Sequence, residues 1–387
     1  MFRQVLAFTV PFLLFSEALA AASIDREMGE VTRLRGVTFA RPVRVRTIDR
    51  QALPEVLREQ MESSVPYSLE EYASVLRALQ LVDPGTPSLI GKMLSLYESQ
   101  VLAFYDPRTH TYVAIDPLPP AVSALASSAI VRESVAIHEL THALQDQRFH
   151  AAEREQRLQK DTDAQLAYHA LLEGEASLVM LAWVLEQSGQ SLDATLKADE
   201  SFQWLQAAVA GGDATVDPAT PRYFTESMKF PYFGGIKLVA MAYSRGGWKA
   251  VDRMHEKPPR STREVLHPSE YFSRIEGSSR PEQTFEGKRR RSEPVALTVE
   301  HLGEFHWRFL VGETASAGWL SDRVLITPRG TVLAETTWES PQQALAFRDA
   351  YLSFLRGRGL AARDAIEGTR VRIGYGPDGM AIERFLR

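Results

Sequence analysis

The sequence predicts an α+β protein: a mostly helical domain with a small N-terminal β-sheet, followed by a C-terminal α/β sandwich-like module. Three observations lead there. Two β-rich runs, 101–105 and 111–115, flank the turn sequence Asp106-Pro107-Arg108-Thr109. From about 129 to 273 the pattern is helical, and beyond 295 it becomes α-β-β-α-β-β. A chain of 387 residues can bury the cores of two units. The expected division is a signal peptide over 1–22, a first domain over 23–280, a linker over 281–294 and the module over 295–387.

The apolar content of 44% and charged content of 24% are ordinary for a globular protein. A formal charge of −5 gives no reason to expect a nucleic-acid partner. Lys288-Arg289-Arg290-Arg291 lies in a Gly/Ser/Pro/Glu-rich segment and reads as a solvated linker.

In chain order, Arg3 precedes an apolar run over 5–15, and Ala18-Leu19-Ala20 supplies small residues for cleavage. The run is short for a membrane span, so an exported protein is expected, with an uncleaved anchor as the alternative. The chain has no cysteine, and export without disulfides fits a bacterial periplasmic or extracellular protein. No integral membrane domain is expected in the mature chain, because the apolar stretch 171–185 is interrupted by Glu173 and Glu175. Ser68 caps a helix through 81, and another spans 90–100. After the hairpin and the central helices, Pro258-Pro259-Arg260-Ser261-Thr262 opens a further helix. In the module, a helix over 302–311 precedes strands 323–327 and 332–338, and Ser340 caps a helix to about 357. Strands 370–375 and 380–386 then pair across Gly376-Pro377-Asp378-Gly379. The module carries no catalytic constellation and reads as a packing, lid or substrate-recognition unit.

The chemistry concentrates in His138-Glu139-Leu140-Thr141-His142. Residues four apart share one helix face, so both imidazoles can hold one metal ion. Glu139 lies about 100° round the helix, beside the metal, where a carboxylate can take a proton from metal-bound water. A chance H-E-x-x-H in a chain this long arises roughly once in a hundred. Ile130, Ile137, Leu140 and Leu144 form an apolar stripe that docks the helix with the histidines at its edge. Glu173 and Glu175 are rival third ligands. Two residues apart means about 200° of rotation, so both cannot face one metal, and periodicity does not choose between them. His169 lies one turn before Glu173 and could reach the site, although a histidine satisfied on a packed helix is the plainer reading.

The stretch 138–146, HELTHALQD, resembles the zinc helix of the thermolysin-like metallopeptidases, members of the gluzincins. Glu173-Gly174-Glu175-Ala176 is similar to the glutamate-bearing helix of the aminopeptidase branch of that clan. The resemblance covers about fifty residues. It implies a zincin-like fold for the first domain, a Zn2+ cofactor, and His138, His142 and Glu173 as its protein ligands. Thirty residues separate His142 from Glu173, more than in either branch, so the charged stretch 153–163 is expected to loop out. The gluzincin pattern often places an acid four residues after the glutamate ligand to orient a histidine. Here that position is Ser177, which leaves the orienting group unidentified. Asp146 is expected to support the site rather than ligate. The donor for the reaction's oxyanion is sought among His267, Tyr271 and Tyr232, with His267 preferred. In zincins an edge strand near the metal helix pairs with extended peptide, and the hairpin is the candidate; its other reading is that it only completes the sheet.

Together these imply an exported zinc-dependent metallopeptidase acting on a peptide or protein substrate, with Glu139 as general base. The alternative is a non-catalytic secreted protein that uses a zincin-like scaffold to bind zinc and other proteins.

Overall fold

The computed structural model describes residues 24–118, 128–198, 216–277 and 298–387. The expected signal peptide over 1–22, the linker over 281–294 and the basic run within it lie outside these residues. The fold is α+β, mostly helical, with two small sheets. Among the described residues, no helix is long and apolar enough to cross a membrane.

The N-terminal part comprises α1 (Asp25–Arg35), β1 (Arg44–Asp49), α2 (Leu53–Ser64), α3 (Leu69–Ala78), α4 (Leu89–Gln100), β2 (Ala103–Asp106) and β3 (Thr111–Asp116). Ser68 and Glu71 form a reciprocal capping box that starts α3. The helix stops short of the expected 81, and Gln80 takes a left-handed backbone just beyond it. The sheet order is β1-β3-β2, with β1 parallel and β2 antiparallel to the central strand. Both faces are covered. Ile48, Val113 and Ile115 pack on Leu53, Leu57 and Leu94, while Tyr105 packs in a separate cluster with Ile137, Leu140 and Leu144.

Next come α5 (Ala129–Phe149), α6 (Ala151–Arg157), α7 (Thr162–Gln187), α8 (Leu192–Ala198), α9 (Arg222–Glu256), α10 (Thr262–Leu266) and α11 (Pro268–Ile275). The docked stripe of α5 holds Ile137, Leu140 and Leu144; Ile130, expected to join it, is exposed. The stretch 153–163 is not looped out. It forms most of α6 and the start of α7, which Asp161 caps by accepting from the Ala164 N–H. Helices α7 and α9 cross in backbone contact at Gly174 and Gly235. A Cβ on Gly174 would stand 2.2 Å from the Gly235 carbonyl carbon, and one on Gly235 only 1.9 Å from the Ala170 oxygen. The absence of both side chains sets how closely Glu173 and Glu175 approach α9.

The C-terminal part contains β4 (Thr298–Glu300), α12 (Gly303–Val311), α13 (Glu313–Ser316), β5 (Trp319–Ile326), β6 (Val332–Trp338), α14 (Pro341–Gly357), β7 (Ala362–Glu367), β8 (Arg370–Tyr375) and α15 (Gly379–Leu386). Its sheet, ordered β4-β5-β6-β8-β7, is antiparallel throughout. The segment 380–386, expected as a strand, is helix α15. Asp378 accepts from the Ala381 N–H as an N-cap, and Ile382, Phe385 and Leu386 then lie on Leu325 and Leu333. The hairpin partner of β8 is β7.

The boundary expected at 281–294 does not divide the core. Val324, Ile326, Val332 and Ala334 share one cluster with Phe347 and Tyr351 of α14, Leu76 of α3, Met93 of α4, and Tyr223 and Phe224 of α9. The Tyr375 hydroxyl donates to the Ala78 carbonyl at 2.9 Å across the same seam. The apolar face of the C-terminal sheet exceeds what α14 alone covers, and the N-terminal helices complete its burial.

Candidate metal centre

Helix α5 carries His138 and His142 on one face, and α7 brings Glu173 against them. His138 Nε2 lies 3.2 Å from His142 Nε2 and 3.1 Å from Glu173 Oε2. His142 Nε2 lies 3.6 Å from Glu173 Oε1. All three ligand atoms fall within 4.8 Å of one another, and they form the one such group among the described residues. Two atoms each about 2.0–2.2 Å from a tetrahedral ion stand about 3.3–3.6 Å apart, so the spacing and the N, N, O donor set fit zinc.

The electrostatics are those of a site with exchangeable protons. Burial alone would raise the Glu173 carboxyl, but His142 and His138 outweigh it and hold it well below the usual carboxylate range. Burial alone would lower the His142 imidazole; the Glu173 charge and hydrogen bond overcome this and push it up to about 10. A divalent cation bound here would take the proton's place as counter-charge, so its uptake releases protons.

Glu139 is partly buried beside this group, and its Oε2 accepts from the Tyr105 N–H of β2 at 3.0 Å. Burial pushes its carboxyl above the ordinary range, against the pull of both histidines. That brings its proton exchange nearer to neutral pH.

Glu175 points to the other side of α7. It pairs with Arg35 at 2.7 Å and His255 at 2.6 Å, and accepts from Gln145 Nε2 at 2.9 Å. Of the two rival glutamates, Glu173 is the one brought to the histidines. His169 stands behind it, with Nδ1 2.8 Å from Glu155 and Nε2 3.5 Å from Glu173. Asp146 accepts from the Tyr105 hydroxyl at 2.9 Å, which ties α5 to β2.

The preference for His267 requires correction. It stands between α10 and α11, its Nε2 2.7 Å from Glu304 Oε1 of α12, and belongs to that network. Tyr271 is buried and donates to the Lys257 carbonyl. Tyr232 of α9 is the one of the three that stands beside the histidines. Its ring stacks on His138 with centroids 6.1 Å apart. Burial, with the charges of Glu173 and Glu139, keeps this phenol protonated far beyond neutral pH.

Gln145, not singled out in the sequence, places its Oε1 2.9 Å from His142 Nδ1. Its signal was available: three residues after His142 is the same helix face. Arg35 and His255 gave no local signal. Comparison with protein-family models, with curated proteins and with solved structures finds no match.

Proposed function

We propose that this chain is an exported zinc-dependent metallopeptidase of gluzincin type, with a zincin-like arrangement around α5 and α7. The observation that carries the reading is the convergence of His138, His142 and Glu173 with a desolvated carboxylate, Glu139, at their side. When bound, zinc supplies a Lewis acid that polarises a carbonyl and acidifies water. His138, His142 and Glu173 hold it. Glu139 takes a proton from the attacking water and passes it to the leaving amine, with one of its oxygens steadied by the Tyr105 N–H. Tyr232, protonated and beside Glu173, donates to the oxygen that becomes negative in the transition state. The substrate is a peptide or protein. β2 is the outer strand of its sheet on the Glu139 side, the place for an extended peptide to align.

Metal analysis of protein purified without added metal should find one zinc per chain. Hydrolysis of casein or mixed peptides should stop with a chelator. Glu139→Gln should keep zinc and fold but lose about 10²- to 10⁴-fold in rate, because an amide cannot accept the water's proton. Undiminished hydrolysis by that variant would sink the mechanism. A zinc-loaded wild type inactive on a broad peptide library would favour the non-catalytic binding protein instead.

A further inference from the structure

His142 can bind a metal through Nε2 only if its other ring nitrogen carries the hydrogen, and the surroundings decide this by donor and acceptor type alone. An amide oxygen only accepts and an amide nitrogen only donates. The Gln145 nitrogen faces two oxygens, the Leu172 carbonyl at 2.9 Å and Glu175 Oε2 at 2.9 Å. A backbone carbonyl cannot donate. Glu175 cannot either while it pairs with Arg35, whose guanidinium stays protonated at every working pH. The Gln145 amide therefore has one orientation, with its oxygen toward His142 Nδ1. That nitrogen must be N–H, and the lone pair of the neutral ring falls on Nε2, the atom aimed at His138 and Glu173.

Gln145 is 1% exposed, and Glu175 and Arg35 are buried, so water offers no alternative partner to the Gln145 amide. His255 Nε2, 2.6 Å from the same Glu175 oxygen, donates to it as well and leaves that oxygen an acceptor. Arg35 is anchored in turn by Asp252 at 2.7 Å. Metal-bound histidines commonly rest on a carboxylate or a carbonyl. Here a neutral amide stands between ring and carboxylate, so the orientation is transmitted while the negative charge stays one residue further away.

We propose that Gln145 is a positioning residue that fixes His142 as its Nδ1–H tautomer, and that the Arg35–Glu175 pair holds the Gln145 amide in the orientation that does so. The proposal rests on the reading of His138, His142 and Glu173 as metal ligands. One helical turn of α7 then serves the centre twice, with Glu173 reaching it directly and Glu175 acting through Gln145 on the partner helix.

Two measurements on the full chain test it. Long-range proton–nitrogen NMR of zinc-loaded protein labelled with ¹⁵N-histidine should show His142 protonated at Nδ1 and ligating through Nε2. Zinc affinity, read by competition with a chromogenic chelator, should fall on the order of 10- to 100-fold in Gln145→Leu, which keeps bulk but offers no acceptor. Its circular dichroism in chelator should stay that of the wild type. Zinc held through His142 Nδ1, or a folded Gln145→Leu that binds zinc within about twofold of wild type, overturns the positioning role and leaves the metal site standing. A wild type that takes up no zinc overturns both. If Gln145→Leu does not fold, the NMR pattern of the wild type alone decides.

Discussion

Glu173 and Glu175 stand two residues apart on α7, and the two faces of that helix have opposite chemistry. On the Glu173 face the acid's partners are His138, His142 and His169. The imidazoles can give up their protons and offer lone pairs to a cation. On the Glu175 face one oxygen meets His255 at 2.6 Å and the other Arg35 at 2.7 Å, with Trp248 over the guanidinium at 4.5 Å and Asp252 behind it. An arginine cannot surrender its proton, so that face cannot exchange it for a metal. Identical side chains on one helix thus become a candidate ligand and a structural anchor, according to whether the counter-charge is removable.

The sharpest way to break this comparison is to disturb the crossing that separates the faces. Gly174→Ala places a carbon where the Gly235 backbone already lies, so α7 and α9 must part along their whole contact. The expected loss is about 5 kcal/mol or more, which approaches the total stability of a typical domain. Thermal melting in chelator checks it. Gly29→Ala in α1, where a new Cβ would meet nothing within 4 Å, should melt at or slightly above wild type. A Gly174→Ala protein that melts like wild type would show that the helices do not touch at this point.

A smaller effect separates the two acids directly. Glu175→Ala leaves the buried Arg35 with Asp252 as its remaining carboxylate partner and His255 with none, and should cost about 3 kcal/mol in the metal-free protein. Glu173→Ala should cost only on the order of 1 kcal/mol there, since histidines left without it can become neutral. It should, however, abolish the rise in melting temperature that zinc gives to wild type. Melting curves with zinc and with chelator read both quantities. A zinc-dependent rise that persists in Glu173→Ala would remove that residue from the ligand set.

The two faces were unequally legible in the sequence for a physical reason. His138, Glu139 and His142 share one helix and announce themselves by spacing. Ser68 with Glu71, and the turn at Asp106-Pro107, are local in the same sense. The choice between Glu173 and Glu175 is not local. It is made by Arg35, 140 positions away, and His255, 80 positions away. Tyr232 and His267 were equal by residue type; α9 brings one beside His138, whereas the other meets Glu304. Gly376-Pro377-Asp378-Gly379 reads as a hairpin turn until Asp378 caps the helix that follows. Likewise, the apolar surface shared by α3, α4 and the C-terminal sheet is invisible to any scan for a linker.

The smallest effect is a pH dependence whose sign differs between two buried acids. Burial would raise the Glu175 carboxyl, but Arg35 and then His255 outweigh it and leave it far below its ordinary value. A depressed carboxyl stabilises the fold above its unfolded value of about 4.3, and the contribution fades as pH falls below that. Asp163 is the opposite case. Burial dominates and lifts it well above the usual range, although Thr262 donates to it through both N–H and hydroxyl. A raised carboxyl contributes fully below its unfolded value of about 3.9, and that contribution is lost as pH rises toward the folded one. In chelator, the stability gap between wild type and Glu175→Gln should therefore widen from pH 3.5 to 7, while the gap for Asp163→Asn should narrow. Denaturant melts across that range measure both gaps. Parallel trends for the two variants would mean that the Arg35 pairing does not set the charge state of Glu175, and the contrast between the two faces of α7 would lose its electrostatic basis.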